Sequence, residues 1–207
     1  MSDKKISEWW RMGAKEETEW SEITSRKDIP LLLNNLNLLG EGVEVGVWRG
    51  NYSRIILDKW NGKKLWLIDC WEQQDFTIYQ DALNANHTNQ YLNVCLTLEK
   101  FQHSWDRVGL LKLFSEQAVK LFEDESLDFV YIDANHHTGV QKDLEIWYPK
   151  VKPGGIFAGH DYIDGVGPGN NPVLVKSVVD NFFSDKEHIF ILADEDPSWL
   201  VVKNKHF

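Results

Sequence analysis

The chain has 207 residues, 43% hydrophobic and 26% charged, which is enough apolar material for one core and too much for a disordered tail. Asp and Glu number 32 against 22 Lys and Arg, a formal charge of -10; a surface of that sign repels phosphate backbones and disfavours general nucleic-acid binding. Two cysteines, Cys70 and Cys95, supply neither a disulfide framework nor a four-cysteine zinc site, and no apolar run reaches the roughly 20 residues that span a bilayer.

The first residues lack the apolar stretch of a secretory signal, so a soluble cytoplasmic protein is expected. Residues 1–40 are polar and carry Trp9, Trp10 and Trp20, then turn leucine-rich over 31–39. Asp28 ahead of Ile29-Pro30 reads as a helix start and Gly40 as its stop. This zone is expected to be a short helical appendage, its tryptophans either packing anchors, a contact between copies of the chain, or a cover over an apolar ligand.

From residue 41 on, strand-like runs alternate with helical spacing. Strands are expected over 43–47, 64–69, 110–114, 127–132 and 156–159. Helices are expected over 51–60 and 138–148, the latter with Val140, Leu144 and Trp147 on one face. Pro153-Gly154-Gly155 reads as a turn, Asn171-Pro172 as the cap of a helix running to about residue 183, and 189–192 and 198–202 as two closing strands. Near-continuous apolar strands alternating with helices make a parallel sheet covered on both faces. The last two strands are too closely connected for a parallel crossover, so they close the sheet as an antiparallel hairpin. The fold class is therefore α/β, Rossmann-like and doubly wound, with a mostly parallel seven-stranded sheet. Residues 72–108 exceed what one crossover helix needs and are expected either as packing helices or as a lid.

Ligands of such sheets bind beyond the carboxyl ends of the strands. The first strand runs into Glu44-Val45-Gly46-Val47-Trp48-Arg49-Gly50. A dinucleotide fingerprint needs a third glycine where Trp48 stands, and the Gly-Lys-Ser/Thr phosphate loop is absent. The turn thus suits a ligand without a pyrophosphate, which argues against a nicotinamide-dependent oxidoreductase. Asp69, 23 residues past Gly46, ends the second strand, where an acid either accepts from both ribose hydroxyls or caps a turn. Glu44, inside the first strand, calls for a cationic partner: a bound cation, or Arg49 or Arg54. S-adenosylmethionine, a nucleoside with an amino-acid tail and a positive charge, fits these three features.

The tips of the fourth and fifth strands bring Asp133, His136, His137, His160 and Asp161 to the same edge. One reading is catalytic, with a divalent-metal site of Asp133, Asp161 and His160 and with His136, of ordinary pKa near ~6.5, as general base. In the other, Asp133 caps the next helix, His136 and His137 are solvated loop residues, and His160 and Asp161 stabilise the loop after the fifth strand. Ser115 is read either as a helix N-cap or as a ligand contact. The segment Tyr162-Ile163-Asp164-Gly165-Val166-Gly167-Pro168-Gly169-Asn170-Asn171-Pro172, with three glycines and two prolines, is either an acceptor-binding loop or an ordinary surface loop.

Taken together, the Glu44–Gly50 motif, Asp69, Ile132-Asp133-Ala134-Asn135-His136 and Lys152-Pro153-Gly154-Gly155 resemble class I SAM-dependent methyltransferases, and within them the group of macrolide-sugar O-methyltransferases. The resemblance spans about residues 40 to 203. It implies that Gly46 and Gly50 border the methionine part of S-adenosylmethionine, that Glu44 supports its binding, that Asp69 holds the ribose, and that Ser115 and Glu116 lie at the adenine. It also implies an acid and a histidine three places later as catalytic pair, here Asp133 and His136, with Mg2+ or another divalent metal. Those relatives carry two adjacent acids at the fifth tip, whereas this chain has His160-Asp161. The expected activity is methyl transfer to a hydroxyl of a small-molecule acceptor, a sugar or natural product. No nucleic-acid or membrane partner is expected, and a homo-oligomer is left open. A cofactor-binding module without catalysis is the competing reading.

Overall fold

The computed structural model describes residues 23–73, 87–99, 106–137, 139–167 and 171–204. Its strands are β1 (Glu41–Val45), β2 (Lys64–Asp69), β3 (Val108–Lys112), β4 (Leu127–Ile132), β5 (Val151–Gly159), β6 (Asp164–Gly167), β7 (Asn171–Leu174), β8 (Phe190–Leu192) and β9 (Ser198–Val202). The α-helices are α1 (Ile29–Asn35), α2 (Asn51–Lys59), α3 (His87–Glu99), α4 (Ser115–Ala118), α5 (Val140–Trp147) and α6 (Val175–Phe183).

Seven strands form one sheet in the order β3-β2-β1-β4-β5-β9-β8. The five strands from β3 to β5 run parallel, and β9 and β8 are antiparallel. The order steps outward from β1 in both directions, which places a switch of winding between β1 and β4, where ligands of such sheets lie. All six residues of β4 are buried, as a central strand covered on both faces requires.

The alternation of side chains divides the core into two clusters. One face presents Val43, Val45, Ile68, Val130 and Phe157 to Leu144 and Trp147 of α5 and to Val179 and Phe183 of α6. The other presents Leu65, Leu67, Phe129, Tyr131 and Ile156 to Ile29, Leu32 and Leu33 of α1, Ile56 of α2 and Val94 and Leu98 of α3. Residues 29–33 thus pack directly on the sheet. The three N-terminal tryptophans and most of the lid candidate fall outside the described residues, and α3 is the described helix within that candidate.

Three sequence expectations are corrected. Pro153-Gly154-Gly155 lies inside β5 rather than ahead of it; Gly154 has φ +84° and the pairing with β4 slips between Leu127 and Phe129, so the turn-like motif is absorbed as an irregularity of a longer strand. Residues 171–174 do not open a helix. They pair with Asp164–Gly167 as a separate ribbon, and α6 starts only at Val175. Pro172 is tolerated there because a two-stranded ribbon has an outer side that needs no donor. The glycine-rich segment after β5 thus supplies two paired strands over 164–167 and 171–174, and residues 168–170 lie outside the described residues. Strands β1 and β3 also begin two residues earlier than the apolar runs suggest. Among the described residues, no helix is long and apolar enough to cross a membrane.

Candidate active site

The parallel ladder continues past the ends of its strands and lines up their tips. Gly46 N donates to Ile68 O at 2.8 Å, Asp133 N to Val45 O at 2.8 Å, and His160 N to Ile132 O at 3.1 Å. The first, fourth and fifth tips are therefore fixed to each other by backbone bonds before any side chain contributes.

The turn after β1 is built on left-handed residues. Gly46 has φ +87° and Gly50 +75°. A Cβ at Gly46 would stand 2.0 Å from Asp133 O, so only glycine allows β1 and the fourth tip to approach this closely. Trp48, where a dinucleotide motif has its middle glycine, also takes a positive φ of 52°. Asp69 holds it there: its two oxygens accept from Trp48 N at 2.9 Å and Trp71 N at 2.8 Å, and Trp71 Nε1 donates to Trp48 O at 2.9 Å. Burial raises the Asp69 pKa above its ordinary value, opposed by these backbone N–H groups. The indole Nε1 of Trp48 is buried and has no hydrogen-bond partner, a donor that a ligand in the turn would satisfy.

Glu44 is 2% exposed, and Ser53 Oγ donates to its Oε2 at 2.5 Å. Burial pushes this carboxyl up to about 8, against the Ser53 bond and the positive field of Arg26. The partner is thus a serine of α2, with Arg26 as the cation that acts on it.

Ser115 is the first residue of α4, with Phe114 as N-cap. Its hydroxyl donates to Asp143 and accepts from Trp147 Nε1 at 2.8 Å. Burial raises Asp143 to about 6, so the third tip is anchored to α5 through a buried carboxyl. Glu116 beside it is exposed.

Asp133, His136, His160 and Asp161 converge. His136 Nε2 lies 2.9 Å from Asp161 Oδ2 and 3.6 Å from Asp133 Oδ1. His160 Nδ1 lies 3.1 Å from Asp161 Oδ1 and 3.8 Å from Asp133 Oδ1. Burial alone would raise Asp161, but its contacts with His136 and His160 hold it well below the ordinary carboxylate range. Burial would likewise lower His160, and the Asp161 bond with the charges of Asp133 and Asp161 reverses this and raises it. One ligand atom each from Asp133, His160 and Asp161 lies within 4.8 Å of the others. Two carboxylates and an imidazole are a donor set that suits a hard or borderline divalent ion. Beneath them a small cavity is lined by Val140, Val175 and Trp199, and the buried Trp199 Nε1 there has no partner. His137 is exposed and apart from the cluster.

Ahead of α5, whose N-cap residue is Gly139, the chain is held by Asn135, whose Oδ1 accepts from His137 N at 2.9 Å and Gly139 N at 3.0 Å. Asp133 is thereby left to face the cluster. Sequence reasoning missed one member, Arg26, whose Nη1 lies 3.3 Å from Asp133 Oδ2 and whose guanidinium stands 5.1 Å from the centre of the Tyr52 ring. No motif marks it; it sits ahead of α1, more than 100 residues from its partner.

A family model described as a methyltransferase domain matches residues 43–162, more than half of the chain. No curated protein matches the sequence. Among solved structures, the O-methyltransferase NovP is similar at 18% identity and a TM-score of 0.61, over 87% of this chain and 78% of that one. The O-methyltransferase TomG from Streptomyces achromogenes, solved in complex with SAM, is similar at 12% identity and a TM-score of 0.62, over 87% and 79%. An O-methyltransferase from Bacillus cereus in complex with SAH is similar at 16% identity and a TM-score of 0.58, over 86% and 80%. At such identities the likeness is one of fold. The matched residues, by contrast, run from β1 through the fifth tip and take in the glycine turn, Asp69 and the whole acid–histidine cluster, and the chain belongs to the methyltransferase-domain family.

Proposed function

We propose that the protein transfers a methyl group from S-adenosylmethionine to a hydroxyl of a small metabolite, a sugar or another natural product. The observation that carries this reading is the convergence of Asp133, His136, His160 and Asp161 at the fourth and fifth tips, in register with the glycine turn of the first. The fold shared with O-methyltransferases solved with SAM or SAH supports the choice of cofactor.

S-adenosylmethionine supplies an activated methyl and, as its sulfonium becomes a thioether, its own leaving group. Gly46 and Gly50 give the turn the backbone shape to border its methionine part. Glu44 lies beneath that turn, where its ionised form is stabilised by a bound cation. Asp69 organises the turn through Trp48 and Trp71 and retains lone pairs for ribose hydroxyls, since a carboxylate has about four acceptor sites. Ser115 anchors the third tip through Asp143 and leaves Glu116 as the side chain beside the adenine.

His136 removes the acceptor's proton. Asp161 at 2.9 Å and Asp133 at 3.6 Å then hold the imidazolium that forms. Asp133, His160 and Asp161 would hold a divalent ion such as Mg2+, whose chemistry there is to lower the pKa of an acceptor hydroxyl. The hairpin β6–β7 is tied to the same place, because Leu174 N donates to His136 O at 2.9 Å, and it forms a wall for the acceptor. Calorimetry with S-adenosylhomocysteine tests the cofactor; no binding at high micromolar ligand rules it out. A screen of hydroxylated acceptors with labelled S-adenosylmethionine then tests transfer.

A further inference from the structure

Arg26 occupies the acid cluster from a segment that no motif marks. It lies in a one-turn 3-10 helix, Arg26–Asp28, and the backbone around it is fixed at several points. Ser25 Oγ and Arg26 N donate to the two oxygens of Asp194 at 2.5 and 2.9 Å, and Ala193 N donates to Thr24 O at 2.7 Å. Tyr52 Oη donates to Arg26 O at 2.8 Å and Lys59 Nζ to Lys27 O at 2.9 Å. A strap over residues 24–28 thus crosses from the β8–β9 turn to α2 and aims one guanidinium at Asp133.

Asp133 belongs to the trio assigned above to a divalent ion, and the present argument rests on that assignment. A guanidinium 3.3 Å from Asp133 Oδ2 repels a second cation on the same carboxylate, and partial burial leaves that repulsion poorly screened. The contact is also single and long, rather than the two-bond fork by which arginine grips a carboxylate most firmly. It can therefore be exchanged. We infer that Arg26 is a built-in competitor of the divalent ion for Asp133, so that the strap which presents Arg26 sets the affinity of the site for metal.

The test is a calorimetric titration of the full chain with Mn2+, for the wild type, Arg26→Met and Asp194→Ala, with S-adenosylhomocysteine binding measured on each as a check of folding. Asp194→Ala loosens the strap while leaving all three proposed ligands and Arg26 itself in the chain, and it carries the test should Arg26→Met not fold. The expected result is Mn2+ binding about tenfold tighter in Arg26→Met, with a smaller shift in the same direction in Asp194→Ala. Binding by the wild type that is equal or weaker in the folded variants overturns the competition and leaves the metal assignment standing. Absence of Mn2+ binding in all three proteins overturns the metal assignment, and the competition with it.

Discussion

The two edges of the sheet both carry buried charge, and they treat it differently. At the edge where the parallel strands begin, charges are closed off. Asp128 faces Lys152 Nζ at 2.5 Å and also accepts from Gly40 N, and Lys203, 4% exposed, donates to Val151 O at 2.7 Å and to the carbonyls of Tyr148 and Pro149 at 3.4 Å. At the edge where the strands end, Asp133 and Asp161 gather around Arg26, His136 and His160, while Glu44 bonds Ser53 and Asp69 the backbone of Trp48 and Trp71. Five left-handed residues, Gly46, Trp48, Gly50, Trp71 and Asp161, lie there too, against Asn37, Glu125 and Gly154 toward the first edge. The first edge spends charge on satisfying strand ends; the second sets acids and bases side by side on a strained backbone, which persists only where the surrounding structure imposes it.

The largest effect expected from breaking this contrast is at Gly46. In Gly46→Ala the new methyl meets the Asp133 carbonyl in an already left-handed residue, and unfolding in urea should show a loss of more than about 4 kcal/mol. Stability near that of the wild type would mean that the first and fourth tips are not locked together. Next is His136→Ala, which should lower kcat by about 10²–10⁴-fold while S-adenosylhomocysteine still binds; unchanged turnover removes its role as base.

Glu44→Gln sharpens the contrast through pH. The folded carboxyl is raised to about 8 from an ordinary 4.5, so the folded state favours the protonated form. This stabilisation is complete below pH 4.5 and is lost as pH rises toward 8. Wild-type stability should therefore fall by on the order of 3 kcal/mol between pH 5 and pH 8. Glutamine copies the uncharged carboxyl and should flatten that slope, at the expense of cofactor affinity. Equal slopes in urea titrations across this range would place the titrating group elsewhere. The smallest effect is expected at the other edge: Lys203→Met orphans carbonyls and should cost about 1–3 kcal/mol. Cofactor affinity in Lys203→Met should stay as in the wild type, and a change would show that the edges are coupled.

Much of this was legible in the chain. The apolar runs marked all seven strands of the main sheet, and the short closing connection marked its antiparallel end. Gly46 and Gly50 were readable because few residues tolerate their backbone. Asp133, His136, His160 and Asp161 were readable because two consecutive strand tips of a parallel sheet must meet. Where the reading failed, a local signal was overruled by pairing. Pro153-Gly154-Gly155 has turn composition yet is held in β5 by backbone bonds of Gly154 and Gly155 to Lys203, and Asn171-Pro172 has the look of a helix start yet pairs with Val166 and Gly167. The cap expected of Asp133 is not made either: the N-cap of α5 is Gly139, and Asn135 holds the segment ahead of it because its amide oxygen reaches two backbone N–H groups at once.

By itself, then, the order of residues determined the strands, their winding and which edge bears the acids and histidines, because these follow from periodicity and from the rule that parallel strands share a direction. Only the tertiary structure decided the partners of those side chains: Ser53 for Glu44, the backbone of Trp48 and Trp71 for Asp69, Asp143 for Ser115, and Arg26 for Asp133. Side-chain pairing depends on distances between segments far apart in the chain, and sequence spacing carries no record of them.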